Sequence, residues 1–138
     1  MPALFTSQAV EATIRAALSH RYKLTAERGH GETGADIIAK RGRETIAIEA
    51  ISFKSSPPAR AKDFFEAFFR AVSRLDKGAT RCVMAMPKRF GMGLPQRAKA
   101  TGLAWRRIGR AFPELEIWLV DTEAGDIRQT KWSEWLTS

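Results

Sequence analysis

The stretch ADIIAKRGRETIAIEAISF, residues 35–53, constrains the fold more than any other part of the chain. ADIIAK (35–40) and ETIAIEAISF (44–53) are runs rich in β-branched residues, and the Arg41-Gly42-Arg43 turn lies between them. Together they predict a β-hairpin. Asp36 opens its first strand and Glu49 sits late in its second. A hairpin turning near Gly42 brings residues 36 and 49 close to opposite one another, so their side chains can converge on one face. Glu49 also lies inside the apolar string IAIEAISF, where a charge is costly without a partner.

The flanking pattern predicts what covers this hairpin. SQAVEATIRAALSH (7–20) reads as an amphipathic helix, with Val10, Ile14, Ala17 and Leu18 at helical spacing and Ser7 as N-cap. YKLTAE (22–27) reads as a short strand. RGHGETG (28–34) reads as a loop without the Gly-Lys-Ser/Thr ending of a phosphate cradle. Ser55-Ser56-Pro57-Pro58 breaks the strand and starts a helix over 59–75. Its expected apolar face is Ala61, Phe64, Phe65, Phe68, Val72 and Leu75, with Arg60, Lys62, Asp63, Arg70 and Arg74 largely turned away. The phenylalanines of FFEAFF read as core, because stacking on bases needs exposed rings.

RCVMAM (81–86) reads as a buried strand and KRFGMGLP (88–95) as a basic loop. Residues 95–112 read as a third helix that Gly102 and Gly109 weaken. Ala98, Thr101, Trp105, Ile108 and Phe112 would face inward, and Arg97, Lys99, Arg106, Arg107 and Arg110 elsewhere. LEIWLV (115–120) is the last strand. The order α-β-β-β-α-β-α-β predicts a single α/β domain over 1–138, a mixed central sheet flanked by helices. Residues 122–138 form an acidic, Trp-containing C-terminal extension. Its Trp132 and Trp135 either pack back on the domain or make a contact in a homodimer.

Charge narrows the function. The net charge of the 138 residues is +8, but residues 54–112 alone carry +11, against +1 for 1–53 and −4 for 113–138. A localised basic excess is the footprint of a nucleic-acid binder. Arg60, Lys62, Lys88, Arg89, Arg97 and Lys99 cluster near expected helix starts, where phosphates are usually held. Six neutralised phosphates would give a salt slope of about −5. The lone Cys82 excludes an internal disulfide and reads as a small buried hydrophobe, and two histidines make a structural zinc site improbable. No apolar run approaches the ~18 residues of a membrane span, and the start lacks a basic segment before an apolar one. The expectation is a soluble, cytoplasmic, DNA-binding domain with no membrane partner.

Two neighbouring carboxylates repel unless a positive charge sits between them. Mg²⁺, with Mn²⁺ as a substitute, suits Asp36 and Glu49, because it takes carboxylate oxygens and keeps several waters. Such a metal activates water against a phosphodiester. Glu11, on the first helix, is a candidate third oxygen donor. GADIIAKRGRETIAIEA, after a helix with a glutamate and before another helix, resembles the PD-(D/E)XK nuclease superfamily, the restriction-endonuclease-like fold. The resemblance covers residues 7–121. It implies Mg²⁺-dependent hydrolysis of DNA, with Asp36 and Glu49 as the acids of the second and third strands and Glu11 as the helix glutamate some members use. Duplex-cutting enzymes of this fold often dimerise.

The sequence departs from that pattern at one point. The family's lysine, which orients or activates the attacking water, belongs two residues after Glu49, and Ile51 stands there. Lys54, re-aimed at a strand end, is the favoured substitute. Lys40, on the strand of Asp36, and Lys62, at the start of the second helix, are the others. His30 is a candidate proton shuttle or phosphate contact. Ile51 also motivates the alternative, a catalytically inactive DNA-binding or assembly module on the same fold.

Overall fold

Side-chain alternation along the strands sorts the apolar residues into two layers, one on each face of a six-stranded sheet. The computed structural model describes residues 3–25 and 35–136. The elements are β1 (Ala3–Phe5), α1 (Ser7–Leu18), β2 (Lys23–Thr25), β3 (Ile37–Arg41), β4 (Glu44–Ala50), β5 (Phe53–Lys54) and α2 (Pro57–Ser73). They continue with β6 (Arg81–Pro87), α3 (Leu94–Ala100), α4 (Gly102–Ala111), β7 (Leu115–Asp121) and β8 (Asp126–Lys131). Short 3-10 turns follow α2, β6 and β8. The main sheet runs β2-β3-β4-β6-β7-β8, and β1 pairs with β5 in a separate two-stranded ribbon. β4, β6 and β7 are parallel, and the other pairs are antiparallel.

This is a single mixed α/β domain. The element order, however, is longer than expected. β1, β5 and β8 are additional strands, and the helix expected over 95–112 is two helices that meet at Thr101 and Gly102. Thr101 is exposed there rather than facing the core. The break has a local cause: Gly102 destabilises a helix interior, and Thr101 bonds back to the Arg97 carbonyl. The residues 126–135 of the acidic segment form β8 and a 3-10 turn, so they belong to the sheet and its cover.

The hairpin forms as its turn chemistry dictates. Arg41 pairs with Glu44 across a two-residue turn, and Gly42 takes φ 59° at the first turn position. Only glycine adopts that conformation readily, and this turn type matches the twist of the flanking strands. On one face, Val10, Ile14 and Leu18 of α1 pack on Ile37, Ile46, Ile48, Val83, Trp118 and Val120. On the other, Phe64, Ala67 and Ala71 of α2, with Leu94, Ala98 and Trp105, cover Ala47, Cys82, Met84, Ile117 and Leu119. Both β6 and β7 are buried on both faces, as parallel central strands should be.

The FFEAFF segment corrects the expectation of four core rings. Phe64 is fully buried and Phe68 partly, whereas Phe65 and Phe69 are 48% and 69% exposed. The buried stripe of α2 runs through Phe64, Ala67 and Ala71, so residues one position on rotate out of it. Trp132 closes the second layer. Its ring stacks on Trp105 at 3.7 Å between centroids, and each indole N–H donates to the other residue's carbonyl, at 2.9 and 2.8 Å. Trp132 and Trp135 therefore pack back on the domain, the latter donating to Thr130 Oγ1 at 2.8 Å.

At the amino ends of the parallel strands, on the α1 face, Arg81 joins three strands. It binds Glu116 twice, at 2.6 and 2.7 Å, and Glu44 at 3.0 Å. Trp118 also donates to Glu116, and Tyr22 to Glu44. The Tyr22 hydrogen bond leads in holding Glu44 below its ordinary value of 4.5. Burial pushes Glu116 up, but Arg81 and Trp118 outweigh it and its pKa is also lowered.

Two expectations follow. Trp132→Ala should cost about 3–5 kcal/mol, because it empties a ring site and removes the indole N–H bond to the Trp105 carbonyl; guanidinium unfolding measures this. The carboxyls of Glu44 and Glu116 are more acidic folded than unfolded. Their stabilisation is therefore full above pH 4.5 and is lost as pH falls through the folded-state values. Urea midpoints between pH 6 and 3 should fall less steeply in Arg81→Met than in wild type.

Candidate active site and nucleic-acid interface

The hairpin register places the two acids together. Ile37 and Ile48 form the last paired rung, so Asp36 and Glu49 lie just beyond it, one on each side of the hairpin. Alternation along β4 puts Glu49 on the α2 face with Ala47, and the charge of Asp36 acts on it there. Asp36 precedes β3, just outside its regular ladder. Its N–H donates to the Ile48 carbonyl at 3.0 Å, and its Oδ2 accepts the Ala50 N–H at 2.7 Å. Arg15 of α1 donates to the Asp36 carbonyl at 3.1 Å. Glu11 lies 3.9 Å from Arg15, which links it to the backbone of Asp36.

Glu49 is 4% exposed, and the cation it needs is Arg74, itself 8% exposed. The Arg74 Nε donates to Glu49 Oε2 at 3.0 Å. The expectation that Arg74 turns away from the apolar face is thus overturned. It sits one turn beyond Ala71 on the buried stripe, and the small Ala67 and Ala71 leave room for the sheet to approach. Burial raises the Glu49 pKa to about 7; Arg74 opposes this, the charge of Asp36 adds to it, and Arg70 opposes it.

Ile51 shares this face and packs partly buried against the α2 layer, its N–H bonded to the Ala85 carbonyl. Beside it a small cleft of about 170 Å³ is lined by Ser7, Ser52, Lys54, Asp63, Glu66 and Arg70, among others. Lys54 reaches into it from β5, at 3.0 and 3.2 Å from the Asp63 carboxylate oxygens. Lys62 is exposed and 3.9 Å from Glu66. Lys40 lies on the acid-pair face, further along β3, at a separate cavity. His30 lies outside the described residues.

The acid pair suits a hard divalent cation in charge and donor type. The charge of Asp36 adds to the rise of the Glu49 pKa, a repulsion that a positive ion relieves, and Mg²⁺ needs only one or two carboxylates. Among the described residues, no group of three or more His, Cys, Asp and Glu gathers, so water and phosphate oxygens would complete the shell. Arg74 already supplies one positive charge to Glu49, and a metal would have to share that carboxylate with it.

Of the six expected phosphate contacts, the structure gathers three. Arg60 and Arg89 both lie over the Phe53 ring, at 4.5 and 5.4 Å, and Arg97 lies over Phe64 at 4.9 Å. Arg60 also donates to the Lys54 and Ser55 carbonyls, which ties it to the strand that lines the cleft. Arg97 is partly buried rather than projecting away, and burial and the nearby Arg60 lower its pKa. Lys88 is exposed, 3.6 Å from Asp121, and Lys99 is exposed on α3. Cys82 is buried, its thiol pushed up to about 11 chiefly by burial, so it is no nucleophile at neutral pH. Among the described residues no helix is long and apolar enough to cross a membrane.

Comparison of the chain with family models, curated proteins and solved structures returns no match.

The Glu49–Arg74 pair makes a direct prediction. Glu49→Leu and Arg74→Met should each cost about 3–5 kcal/mol, because each strands a buried charge. The double variant should recover most of that loss. A urea double-mutant cycle measures the coupling, and additive losses would show that the pair is not coupled.

Proposed function

We propose that the chain is a metal-dependent DNA nuclease of PD-(D/E)XK type, with Asp36 and Glu49 holding Mg²⁺ or Mn²⁺. The observation that carries this reading is the two acids brought close together where β3 begins and β4 ends, near enough for the charge of Asp36 to act on Glu49. They lie at the carboxyl edge of parallel strands, where open α/β sheets place their ligand sites. The order of α1, the β2-β3-β4 meander, the α2 crossover and parallel β6 also agrees with the resemblance read in the sequence.

When bound, the metal would supply Lewis acidity and an activated water at the phosphodiester. The chain's own groups do the rest. Arg89 and Arg97 hold the DNA backbone beside the cleft, with Arg60 bracing the strand they rest on. Lys54 takes the part of the displaced lysine. Asp63 steadies its ammonium in the cleft next to Ile51, where it would orient the water and offset charge on the phosphate. Arg74 opposes the burial that raises the Glu49 pKa and fixes its carboxylate through the Nε hydrogen bond.

One set of observations favours a second reading, the inactive DNA-binding or assembly module. Ile51 packs at the lysine position, and Arg74 gives Glu49 a cation without any metal. A cleavage panel of duplex, junction and single-stranded DNA separates the two. The nuclease reading expects cutting with Mg²⁺ or Mn²⁺, none in EDTA, and a loss of about 100-fold or more in Asp36→Asn and Glu49→Gln. Salt-dependent binding with no cutting under either metal would assign the chain to the binding module.

A further inference from the structure

Behind the acid pair, on the same face of the sheet, lies a cavity of about 310 Å³ that the nuclease reading leaves unused. It is lined by Thr25, Ile38, Lys40, Thr45, Ala47, Arg74, Lys77 and Ala79. Among its described lining residues, three cations, two hydroxyls and no carboxylate define its chemistry. Among the described residues, neither Lys40 nor Lys77 has an acid within ion-pair distance. Lys77 is not needed to cap the helical turn it ends, because the N–H groups of Gly78 and Ala79 already take the Arg74 and Leu75 carbonyls. Arg74 forms the inner wall. It binds Glu49 through Nε, so one guanidinium touches both the acid pair and the cavity.

We infer that this cavity is a phosphate-binding subsite for a nucleic-acid strand, taking a phosphate adjacent to the one presented to Asp36 and Glu49. Two lysines with no acid partner and the Arg74 guanidinium, paired to Glu49 from its other side, surround one concave space with no carboxylate among its described lining residues, which favours an anion, and lysine and threonine are ordinary phosphate donors. The volume, near the lower end of small-ligand sites of roughly 300–1,000 Å³, admits a phosphate group with its attached sugar or waters. Its place follows from the hairpin. The rungs Ile38–Ala47 and Lys40–Thr45 lie two and four residues along β3 from Asp36, or roughly 7 and 13 Å. That span lies within reach of neighbouring phosphates on one strand. The assignment to a strand rests on the nucleic-acid reading above, whereas the phosphate chemistry of the cavity does not.

The test uses the full chain in EDTA, with inorganic phosphate as one probe and a labelled DNA oligonucleotide as the other. Phosphate should raise the melting temperature saturably beyond an ionic-strength-matched chloride control and shift the amide signals of Thr25 and Thr45. In Lys40→Gln/Lys77→Gln, whose side chains are exposed and whose fold should be kept, phosphate affinity should fall about tenfold and the salt slope of DNA binding by about two. A phosphate response equal to that of chloride would overturn the inference, as would one unchanged in the double variant. DNA binding retained in either case leaves the nucleic-acid reading standing. Saturable phosphate binding that needs both lysines, in a protein that binds no DNA, would overturn the assignment to a strand.

Discussion

A carboxylate inside a sheet cannot stay charged without a cation beside it, and the Glu49–Arg74 contact is where this protein meets that constraint. The pair joins the middle of the sheet to the end of α2, so the helix cannot slide without stranding two charges. It also sets the character of the candidate site. Glu49 faces Asp36 across the hairpin, and the repulsion between them is balanced by an arginine from the covering helix. Any metal that bound there would share Glu49 with that arginine. The same guanidinium forms the wall of the basic cavity behind it.

The sheet carries two polar systems of opposite kinds. At the amino ends of the parallel strands, on the α1 face, Arg81 is saturated by Glu116, Glu44 and Gln129. Every charge there has a close partner, and the carboxyls are held below their ordinary pKa. At the carboxyl ends, on the α2 face, like charges are held together and Glu49 is pushed up to about 7. The first arrangement stabilises the fold. The second holds a carboxylate whose pKa is raised chiefly by burial, with the charge of Asp36 adding to it, and perturbed groups of that kind cluster at functional sites.

The hairpin was legible because its determinants are local: alternation, β-branched residues and a glycine turn. The facing of Asp36 and Glu49 follows from that turn by counting. The buried strands 81–86 and 115–120 announced themselves as apolar runs. Arg74 was harder to see, because helical periodicity alone ranks an arginine as a surface residue. The signal lay elsewhere, in a buried glutamate that needed a cation and in Ala67 and Ala71 one and two turns before residue 74. β8 was hidden because DIRQTK alternates weakly and its pairing partner is β7, reached by a turn at Gly125. The split at Gly102 was foreshadowed by the glycine, but its position depended on how Leu94 and Trp105 each reach the core.

By itself, the amino-acid sequence determined a mixed α/β domain, a hairpin with two acids in register and a basic middle segment. Those properties depend on spacing and composition along a short length of chain. Only the tertiary structure decided which cation meets Glu49, that Lys54 points at Asp63, and that Lys40, Lys77 and Arg74 surround one cavity. These are meetings between residues from 9 to 37 positions apart in the chain. They are set by how α2 crosses the sheet, and no local pattern encodes that crossing.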